Sequence, residues 1–291
     1  MFSLPFYTRK KKKVTAVSNF FFVLLPKIFR VMKKRLLIAC ILCLIALASN
    51  AQRKRAFMVG ISHYDTAQTG YQWNNINGAE DVLLLSPILQ KQGFSLTTIL
   101  DEQATYDNIT HQLTHFISKT KKGDIVYIHF STHGQPVEDH NGDETDGWDE
   151  AIVPIDAYKT YRKGIYEGNH HLIDDQLNTL LKELRKKIGP NGFLYVVIDA
   201  CHAGTSSRAN DETIRGTSVG FTSSRKIFKP LPDKKSHYRL EASTKLSNVI
   251  FIEACRADQV NREIRVADKH YGPLSYNIAQ TLSVKPLTKD A

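Results

Sequence analysis

The stretch "FLYVVIDACHAG", residues 193–204, runs from six apolar residues into an acid, a thiol and an imidazole, and it ends on a glycine. A continuous apolar run of this length is typical of a strand in a parallel sheet that is covered by helices on both faces. In such sheets, reactive groups lie just beyond the carboxyl ends of the strands. The stretch therefore predicts a buried strand that carries Cys201 to the functional edge of a sheet.

Apolar runs alternate with helix-like segments along the rest of the chain. The other predicted strands are residues 56–61, 95–100, 124–130 and 248–255, and the predicted helices are residues 78–92, 105–120, 174–188 and 273–283. Such alternation is typical of βαβ units, which build a parallel sheet between two layers of helices. We therefore expect an α/β domain with a mostly parallel central sheet.

A second predicted strand also ends in a reactive side chain. The stretch "DIVYIHFSTHG", residues 124–134, places His133 and Gly134 directly after an apolar run. If the two strands are neighbours, the imidazole can take the proton of the Cys201 thiol and activate it for acyl transfer. The backbone amides of Gly134 and Cys201 are then candidates to bind a developing oxyanion. Spacing alone leaves open a structural histidine and a merely buried cysteine.

The net charge of +10 is concentrated at the start of the chain. Ten of the 39 Lys and Arg residues and none of the 29 Asp and Glu residues lie in residues 1–51. Residues 52–291 therefore carry 29 basic and 29 acidic residues and no formal net charge. Because a nucleic-acid-binding domain usually carries a basic excess, we expect no nucleic-acid partner.

The basic start has the order of a secretory signal peptide at residues 32–51. "MKKR" is followed by a 13-residue apolar run and then by "SNA", which ends at Ala51. The run is shorter than the roughly 20 residues that cross a bilayer, so we expect no stable membrane span after removal of the leader. An uncleaved anchor is the alternative. We interpret residues 1–31 as an extension from an upstream start codon, or else as a membrane-proximal segment, and we expect residues 52–291 to be exported to a periplasm or outside the cell.

Three blocks of sequence resemble the signatures of caspase-like cysteine peptidases, closest to the metacaspases and their bacterial relatives, the orthocaspases. They are "VYIHFSTHGQ" (126–135), "DETDGWDEAIVPIDA" (143–157) and "VVIDACHAGT" (196–205). Thr132 and Ala203 stand where the family usually has Gly and Ser. The resemblance implies a cysteine endopeptidase with His133 as the base and Cys201 as the nucleophile.

The resemblance also implies the caspase-like α/β/α sandwich for residues 52–291. The family sheet normally continues with another strand and helix after the segment that matches residues 272–283. Only eight residues follow that segment here. We therefore expect either a sandwich that lacks the last strand and helix or a fragment of a longer domain.

Asp199 points to the choice of substrate. Side chains alternate along a strand, so Asp199 lies on the same side as Cys201 and offers a carboxylate to a basic side chain. In metacaspases the matching Asp belongs to the pocket for Arg or Lys, and the resemblance assigns Ser131 and Asp81 to the same pocket. A solvated carboxylate in the first turn of a helix is the alternative for Asp81. The expected partner is a protein or peptide with a basic residue before the scissile bond.

The acidic segment 138–150 raises the question of a bound cation. Four of its residues have the spacing of a calcium loop, but Glu144 occupies the position where an EF-hand needs glycine. These four are Asp139, Asn141, Asp143 and Glu150. We therefore do not expect an EF-hand.

Calcium remains the candidate cofactor by resemblance, although the chemistry itself requires none. Many metacaspases bind calcium, and the resemblance assigns Asp149, Asp174 and Asp175 as ligands. A further Asp of the family has no counterpart after the nucleophile, where Ser207 and Arg208 stand. The alternative for Asp174 is an N-cap of the predicted helix 174–188.

A polar segment between the strand that carries Cys201 and the next strand is too long for a simple connection. In caspase-like enzymes this region holds activation loops and processing sites. An Arg-directed enzyme would cut its own chain here after Arg208, Arg215 or Arg225. Two other functions stay open: a catalytically idle caspase-like scaffold that binds partners, and a calcium-responsive binding module.

Overall fold

A computed structural model describes residues 30, 32–35, 52–64, 73–202, 213–229, 243–256 and 259–289. Residues 1–51 and 52–291 form two separate compact units. Of the first unit, only residues 30 and 32–35 are described, and they are helical and exposed. The apolar run of the predicted signal peptide and the candidate processing site at Arg208 lie outside the described residues. Among the described residues, no helix is both long and apolar enough to cross a bilayer.

Ten strands are described in residues 52–289. They are β1 (Lys54–Gly60), β2 (Phe94–Leu100), β3 (Ile125–Ser131), β4 (His133–Glu138), β5 (Trp148–Val153), β6 (Leu172–Ile173), β7 (Phe193–Asp199), β8 (Asn248–Glu253), β9 (Ile264–Val266) and β10 (Lys269–Tyr271). Five of them form the central sheet in the order β2-β1-β3-β7-β8, and every neighbouring pair is parallel. All residues of β3 and β7 are buried, as their continuous apolar runs predict.

Helices cover both faces of this sheet. They are α1 (Gly78–Lys91), α2 (Tyr106–Lys119), α3 (Asp174–Ile188) and α4 (Pro273–Val284). One hydrophobic core joins α2 and α3 to one face of the sheet, and a second core joins α1 and α4 to the other. Alternate side chains of the same strands feed the two cores: Ile128 enters the first and Tyr127 the second. The predicted α/β/α sandwich is confirmed, with β8 at one edge of the described sheet.

A second, antiparallel sheet of β4, β5 and β6 was not predicted from the sequence. β4 begins at His133, two residues after β3 ends, so the chain passes from the main sheet into the small sheet at Thr132. Residues 139–147 of the acidic segment form the loop between β4 and β5. Strands rather than helices flank this loop, which agrees with the expectation that it is not an EF-hand.

Candidate active site

Ser131 of β3 and Asp199 of β7 are direct partners in the parallel register. Both strands end at these residues, so His133 and Cys201 each lie two positions beyond a paired position. Both side chains are buried. A β-carbon added to Gly134 would lie 2.7 Å from the carbonyl oxygen of Cys201, so the two chain segments touch through their backbones. The structure therefore brings the predicted base and nucleophile to one edge of the sheet.

The imidazole of His133 is held in one tautomer. Its Nε2 lies 2.8 Å from the carbonyl oxygen of Asn74. Because a carbonyl can only accept, Nε2 carries the proton and Nδ1 keeps its lone pair. Nδ1 is buried and has no hydrogen-bond partner among the described residues. Burial lowers the pKa of His133 to about 3, so the ring is neutral at neutral pH with a lone pair on Nδ1, and burial also makes this nitrogen a weaker base.

Two aromatic rings fix the position of His133. Trp73 stacks on the imidazole with ring centroids 4.8 Å apart, and Tyr64 lies at the same distance in a tilted orientation. The Tyr64 hydroxyl accepts the backbone N–H of His133 at 3.1 Å and donates to the carbonyl oxygen of Val153 at 2.8 Å. Tyr64 thereby ties the start of β4 to the end of β5. No sequence motif marked Tyr64, Trp73 or Asn74.

The thiol of Cys201 is completely buried. Its Sγ donates to the carbonyl oxygen of Gln259 at 2.8 Å. The partly buried Cys255 donates to the carbonyl oxygen of Ala200 at 3.7 Å. A hydrogen bond with the Cys201 side chain, together with burial, raises the pKa of Cys255 well above its ordinary value. Cys255 is therefore a neutral thiol beside Cys201.

The three predicted pocket residues converge on one guanidinium, that of Arg215. Nη1 of Arg215 lies 2.7 Å from Asp81 Oδ2 and 3.9 Å from Asp199 Oδ1, and it donates to Ser131 Oγ. Ser131 in turn donates to Asp81 Oδ2 at 2.7 Å. All four side chains are completely buried, so the alternative of a solvated Asp81 is wrong.

The carboxylate of Glu263 also pairs with the guanidinium of Arg215. Its Oε1 accepts from Nε of Arg215 at 3.1 Å and from Nη2 at 2.8 Å. Glu263 also accepts from the backbone and side-chain nitrogens of Asn77, directly before α1. Nothing in the local sequence marks Glu263, because its role depends on contacts with segments far away in the chain.

Asp199 is fixed by residues that the sequence did not single out. Asn261 donates to its Oδ1 at 2.7 Å, and the backbone and hydroxyl of Ser275, in the first turn of α4, donate to its Oδ2 at 2.8 and 2.6 Å. Burial acts to raise the pKa of Asp199, but Arg215 and these hydrogen bonds outweigh burial and hold the pKa below its ordinary value. Asp199 is therefore a fixed negative charge.

Asp81 behaves differently from Asp199. Burial and the charge of Asp199 raise the pKa of Asp81 to about 7, although Arg215 and hydrogen bonds from Ser131 and Gly272 act in the opposite direction. A cation beside Asp81 favours its ionised form. The pocket is therefore suited to a basic side chain, because the positive charge of that side chain offsets the negative charges of the pocket carboxylates.

The two predicted oxyanion donors also converge on a single atom. The backbone amides of Cys201 and Gly134 donate to the carbonyl oxygen of Arg215 at 2.9 and 3.3 Å. A β-carbon added to Gly216 would lie 1.7 Å from the carbonyl oxygen of Cys201. Residues 215 and 216 therefore pass directly over the backbone of Cys201.

Asp149 of β5, one of the predicted calcium ligands, belongs to a group of acidic side chains. Carboxylate oxygens of Asp139, Asp143 and Asp149 lie within 4.8 Å of one another. A cavity of about 390 Å³ is lined by both Asp149 and Asp175. In the sequence, Asp139 and Asp143 are marked only by the spacing that fails the EF-hand pattern.

Two of these carboxylates have an unsatisfied buried oxygen. Oδ1 of Asp149 and Oδ1 of Asp174 have no hydrogen-bond partner among the described residues. Burial and the neighbouring carboxylates raise the pKa of Asp149 to about 7 and that of Asp174 to about 8. The N-cap position of α3 belongs to Ile173 and Asp174 makes no capping bond, so the alternative reading of Asp174 as an N-cap is wrong. The donor set fits a hard divalent cation such as Ca²⁺.

Comparison with known proteins gives consistent matches. Residues 54–209 match the family model described as "Metacaspase, peptidase C14 domain". Metacaspase-1B of Aspergillus fumigatus is 30% identical over 166 residues, which cover 53% of this chain and 36% of that protein. Metacaspase-2 of Arabidopsis thaliana is 33% identical over 162 residues, covering 53% and 35%. The chain thus spans about a third of the length of these relatives.

Among solved structures, the chain matches the protein GSU0716 from Geobacter sulfurreducens. That structure has a TM-score of 0.42 and 26% identity, and the match covers 56% of this chain and 57% of that one. The Drosophila initiator caspase Dronc has a TM-score of 0.31 and 14% identity, with coverage of 57% and 55%.

Proposed function

The chain belongs to the metacaspase family, and from that premise we propose that it is a cysteine endopeptidase that cleaves proteins after Arg or Lys. One observation, the position of Arg215, carries the proposal. Its guanidinium contacts the side chains of Asp81, Asp199 and Ser131. Its carbonyl oxygen accepts hydrogen bonds from the backbone amides of Gly134 and Cys201. These are the two contacts that such an enzyme needs with the residue before the scissile bond.

In the proposed reaction, the Cys201 thiol gives up its hydrogen bond to the carbonyl oxygen of Gln259 and transfers its proton to Nδ1 of His133. The sulfur attacks the carbonyl carbon of the scissile bond, and the amides of Gly134 and Cys201 bind the oxygen as it becomes negative. The C–N bond then breaks, and His133 gives the proton to the departing amine. Water attacks the resulting thioester, again through His133, and releases the carboxylate product and the thiol.

We test this activity with reporter peptides that carry Arg, Lys or Asp before the scissile bond. The full chain should hydrolyse the Arg and Lys peptides, and Cys201→Ala should lower the rate at least about 1000-fold. Cys255→Ala removes the other thiol of the domain and should keep measurable activity. Cleavage after Asp alone would refute the basic specificity and keep the Cys/His pair. Absence of hydrolysis in every preparation would leave the partner-binding scaffold as the function.

We propose further that the enzyme cuts its own chain between β7 and β8, after one of Arg208, Arg215 and Arg225. Arg225 is exposed and Arg215 is buried in the pocket. The support for self-cleavage is that this segment carries basic residues and enters the active site. Mass spectrometry of the wild type beside Cys201→Ala tests it, because equal fragmentation of the two would rule it out.

Calcium is proposed as a bound cofactor outside the chemical step. Asp149 would hold it together with Asp139 and Asp143. Asp175 lines the same cavity as Asp149, and Asp174 precedes it in the first turn of α3. The support is the unsatisfied buried oxygens of Asp149 and Asp174. Bound Ca²⁺ would supply positive charge that lets these neighbouring carboxylates ionise together.

We also propose that the domain is exported, to a periplasm or to the outside of the cell. The support is the signal-peptide pattern of residues 32–51. Cell fractionation and amino-terminal sequencing test it: the mature chain should begin at Gln52 in the exported fraction. Recovery of a chain with intact residues 32–51 in the membrane fraction would favour the uncleaved anchor.

A further inference from the structure

A buried chain of hydrogen bonds runs from β3 to Asp199. Tyr127 and His129 are two residues apart on β3, so their side chains lie on the same face of the sheet. The Tyr127 hydroxyl lies 3.0 Å from Nδ1 of His129, and Nε2 of His129 lies 3.1 Å from the hydroxyl oxygen of Ser275, in the first turn of α4. That oxygen lies 2.6 Å from Oδ2 of Asp199. All four residues are buried, so the chain links the interior of the sheet to a carboxylate of the pocket.

The direction of each hydrogen bond in this chain follows from Asp199. An ionised carboxylate only accepts, so the Ser275 hydroxyl donates to Asp199 and its oxygen accepts from Nε2 of His129. Burial lowers the pKa of His129 to about 4, although the charge of Asp199 acts in the opposite direction, so the ring is neutral and carries one N–H. Nδ1 of His129 therefore accepts from the Tyr127 hydroxyl. All three donors point toward Asp199, and His129 is the Nε2-protonated tautomer.

Asp199 depends on these donors more than on the basic group in the pocket. Nη1 of Arg215 lies 2.7 Å from Asp81 but 3.9 Å from Asp199, which is beyond the length of a hydrogen bond. Among the described residues, the hydrogen bonds to Asp199 come from Asn261 and from the backbone and hydroxyl of Ser275. A buried carboxylate is costly unless it is hydrogen-bonded, and a hydroxyl that accepts a hydrogen bond becomes a stronger donor. The position of Asp199 is therefore set before a basic side chain arrives.

We propose that His129 is a positioning residue of the specificity pocket, which acts through the Ser275 hydroxyl to hold Asp199 as an oriented acceptor for a basic side chain. The inference rests on the basic specificity proposed above and adds residues that lie behind the pocket. Tyr127 acts one step further back, because its hydrogen bond occupies Nδ1 of His129 and so keeps the ring proton on Nε2. With the proton on Nδ1, the lone pair of Nε2 would compete with Asp199 for the hydroxyl proton of Ser275.

The tautomer of His129 is tested without catalysis, by NMR of the full Cys201→Ala chain with ¹⁵N-labelled histidine. Correlations between the ring nitrogens and the ring carbon-bound protons identify the protonated nitrogen, and His129→Gln assigns the signals. We expect the proton on Nε2 at neutral pH. A proton on Nδ1 would overturn the inference, because Nε2 could then not donate to Ser275. A residue that only fills the core would set no such requirement.

Binding of a basic group is tested in a reference chain that carries Cys201→Ala and Arg215→Gln, in which neither cleavage nor the resident guanidinium interferes. The probe is p-aminobenzamidine, a fluorescent amidine that resembles a guanidinium. Adding His129→Leu should weaken its binding about tenfold, the scale of one charge-assisted hydrogen bond. His129→Gln, whose amide can still donate to Ser275, should restore most of the affinity. Ser275→Ala should match His129→Leu and covers a failure of that variant to fold.

The far end of the chain has a matched control in the neighbouring strand. Tyr127 of β3 and Tyr195 of β7 are direct partners in the parallel register, and both rings belong to the same hydrophobic core. The Tyr195 hydroxyl donates to the carbonyl oxygen of Thr288 and not to a histidine. Tyr127→Phe should therefore weaken amidine binding in the reference chain, and Tyr195→Phe should leave it unchanged. Equal affinities in the two variants would contradict the role of Tyr127.

The outcomes separate this inference from the peptidase activity. Unchanged affinity in folded His129→Leu and Ser275→Ala, or equal losses in His129→Leu and His129→Gln, would overturn the role of the His129 hydrogen bond. Absence of amidine binding by the folded reference chain would refute the basic pocket, and the inference with it. Hydrolysis of Arg reporters by the wild type is measured in parallel. Amidine binding that depends on His129, in a protein whose wild type hydrolyses no reporter, would support the inference and refute the peptidase activity. Thermal unfolding confirms that the compared variants are folded.

Discussion

The guanidinium of Arg215 lies 2.7 Å from the carboxylate of Asp81, and both side chains are completely excluded from solvent. Asp81 belongs to the first turn of α1, whereas Arg215 lies between β7 and β8, far along the chain. Removing one partner of such a pair leaves a buried charge uncompensated. Under the proposed specificity, a basic side chain of a substrate would take the place of Arg215 in this contact.

Asp81→Asn should weaken recognition of basic substrates. Loss of one buried charge from the pocket should lower kcat/KM for an Arg reporter about 100-fold, mostly through KM, because truncating one partner of a buried charge pair costs about 2–5 kcal/mol. Steady-state kinetics of the self-cleaved enzyme measure it. The matched control is Glu80→Gln, the adjacent carboxylate, which pairs with Lys269 at the surface. Equal losses in the two variants would contradict a specific role for Asp81.

The activity on Arg reporters should rise with pH around neutrality. The pKa of Asp81 is raised to about 7 even though Arg215 lowers it, so in a pocket without Arg215 a proton competes with the basic side chain at neutral pH and below, and ionisation at higher pH favours binding. His133, with a pKa lowered to about 3, adds no acidic limb in this range. A pH profile of kcat/KM from 5.5 to 8.5 measures the effect. The rise of kcat/KM with pH should disappear in Asp81→Asn. If the rise persists in that variant, a group other than Asp81 is responsible for it.

Gly272→Ala should close the pocket by steric overlap. The new methyl group would lie 2.1 Å from Asp199 Oδ2 and 2.6 Å from Nη1 of Arg215. The backbone at Gly272 has φ −64° and ψ 132°, which any residue adopts, so the effect is one of space and not of backbone strain. We expect at least a 100-fold loss of kcat/KM for Arg reporters in a folded protein. Thermal unfolding checks that the variant is folded. A kcat/KM equal to that of the wild type would contradict the placement of Gly272 against the pocket.

Tyr64→Phe should lower kcat with little change in KM. The substitution removes the hydroxyl that accepts the backbone N–H of His133 and donates to Val153, while the ring that packs on the imidazole remains. A misplaced base slows proton transfer without changing the specificity pocket, and we expect a loss of about tenfold. Tyr276→Phe in α4 is the control. A change confined to KM would show that Tyr64 acts on substrate binding instead.

Calcium should stabilise the domain through Asp149. A ligand that binds only the folded state at 100 times its Kd adds about 2.7 kcal/mol, which raises Tm by several degrees. Thermal unfolding of Cys201→Ala with calcium, with magnesium and with a chelator measures this shift. The shift should vanish in Asp149→Asn and persist in Glu102→Gln, an exposed carboxylate elsewhere. An identical shift in both variants would place any calcium at another site.

Much of the fold was predictable because the central strands are apolar throughout. β3 and β7 were predicted within a residue or two of their observed bounds, and α3 was predicted at its observed bounds. The small sheet was missed because β4 and β5 mix apolar residues with Gln, Pro, Asp and Glu, and neither period 2 nor a continuous apolar run is visible in them. Their pairing is decided by contacts between segments and not by local pattern.

The sequence by itself determined the strands of the central sheet, the layers of helices and the two candidate catalytic residues that follow β3 and β7. It could do so because continuous apolar runs mark the buried strands of a parallel sheet, and parallel strands bring their carboxyl ends to one edge. Only the tertiary structure decided which of three arginines enters the pocket and that Glu263, Asn261 and Ser275 complete its surroundings. The physical reason is that a buried charge is stabilised by whichever groups the folded chain brings around it, and these groups come from segments without a shared local pattern.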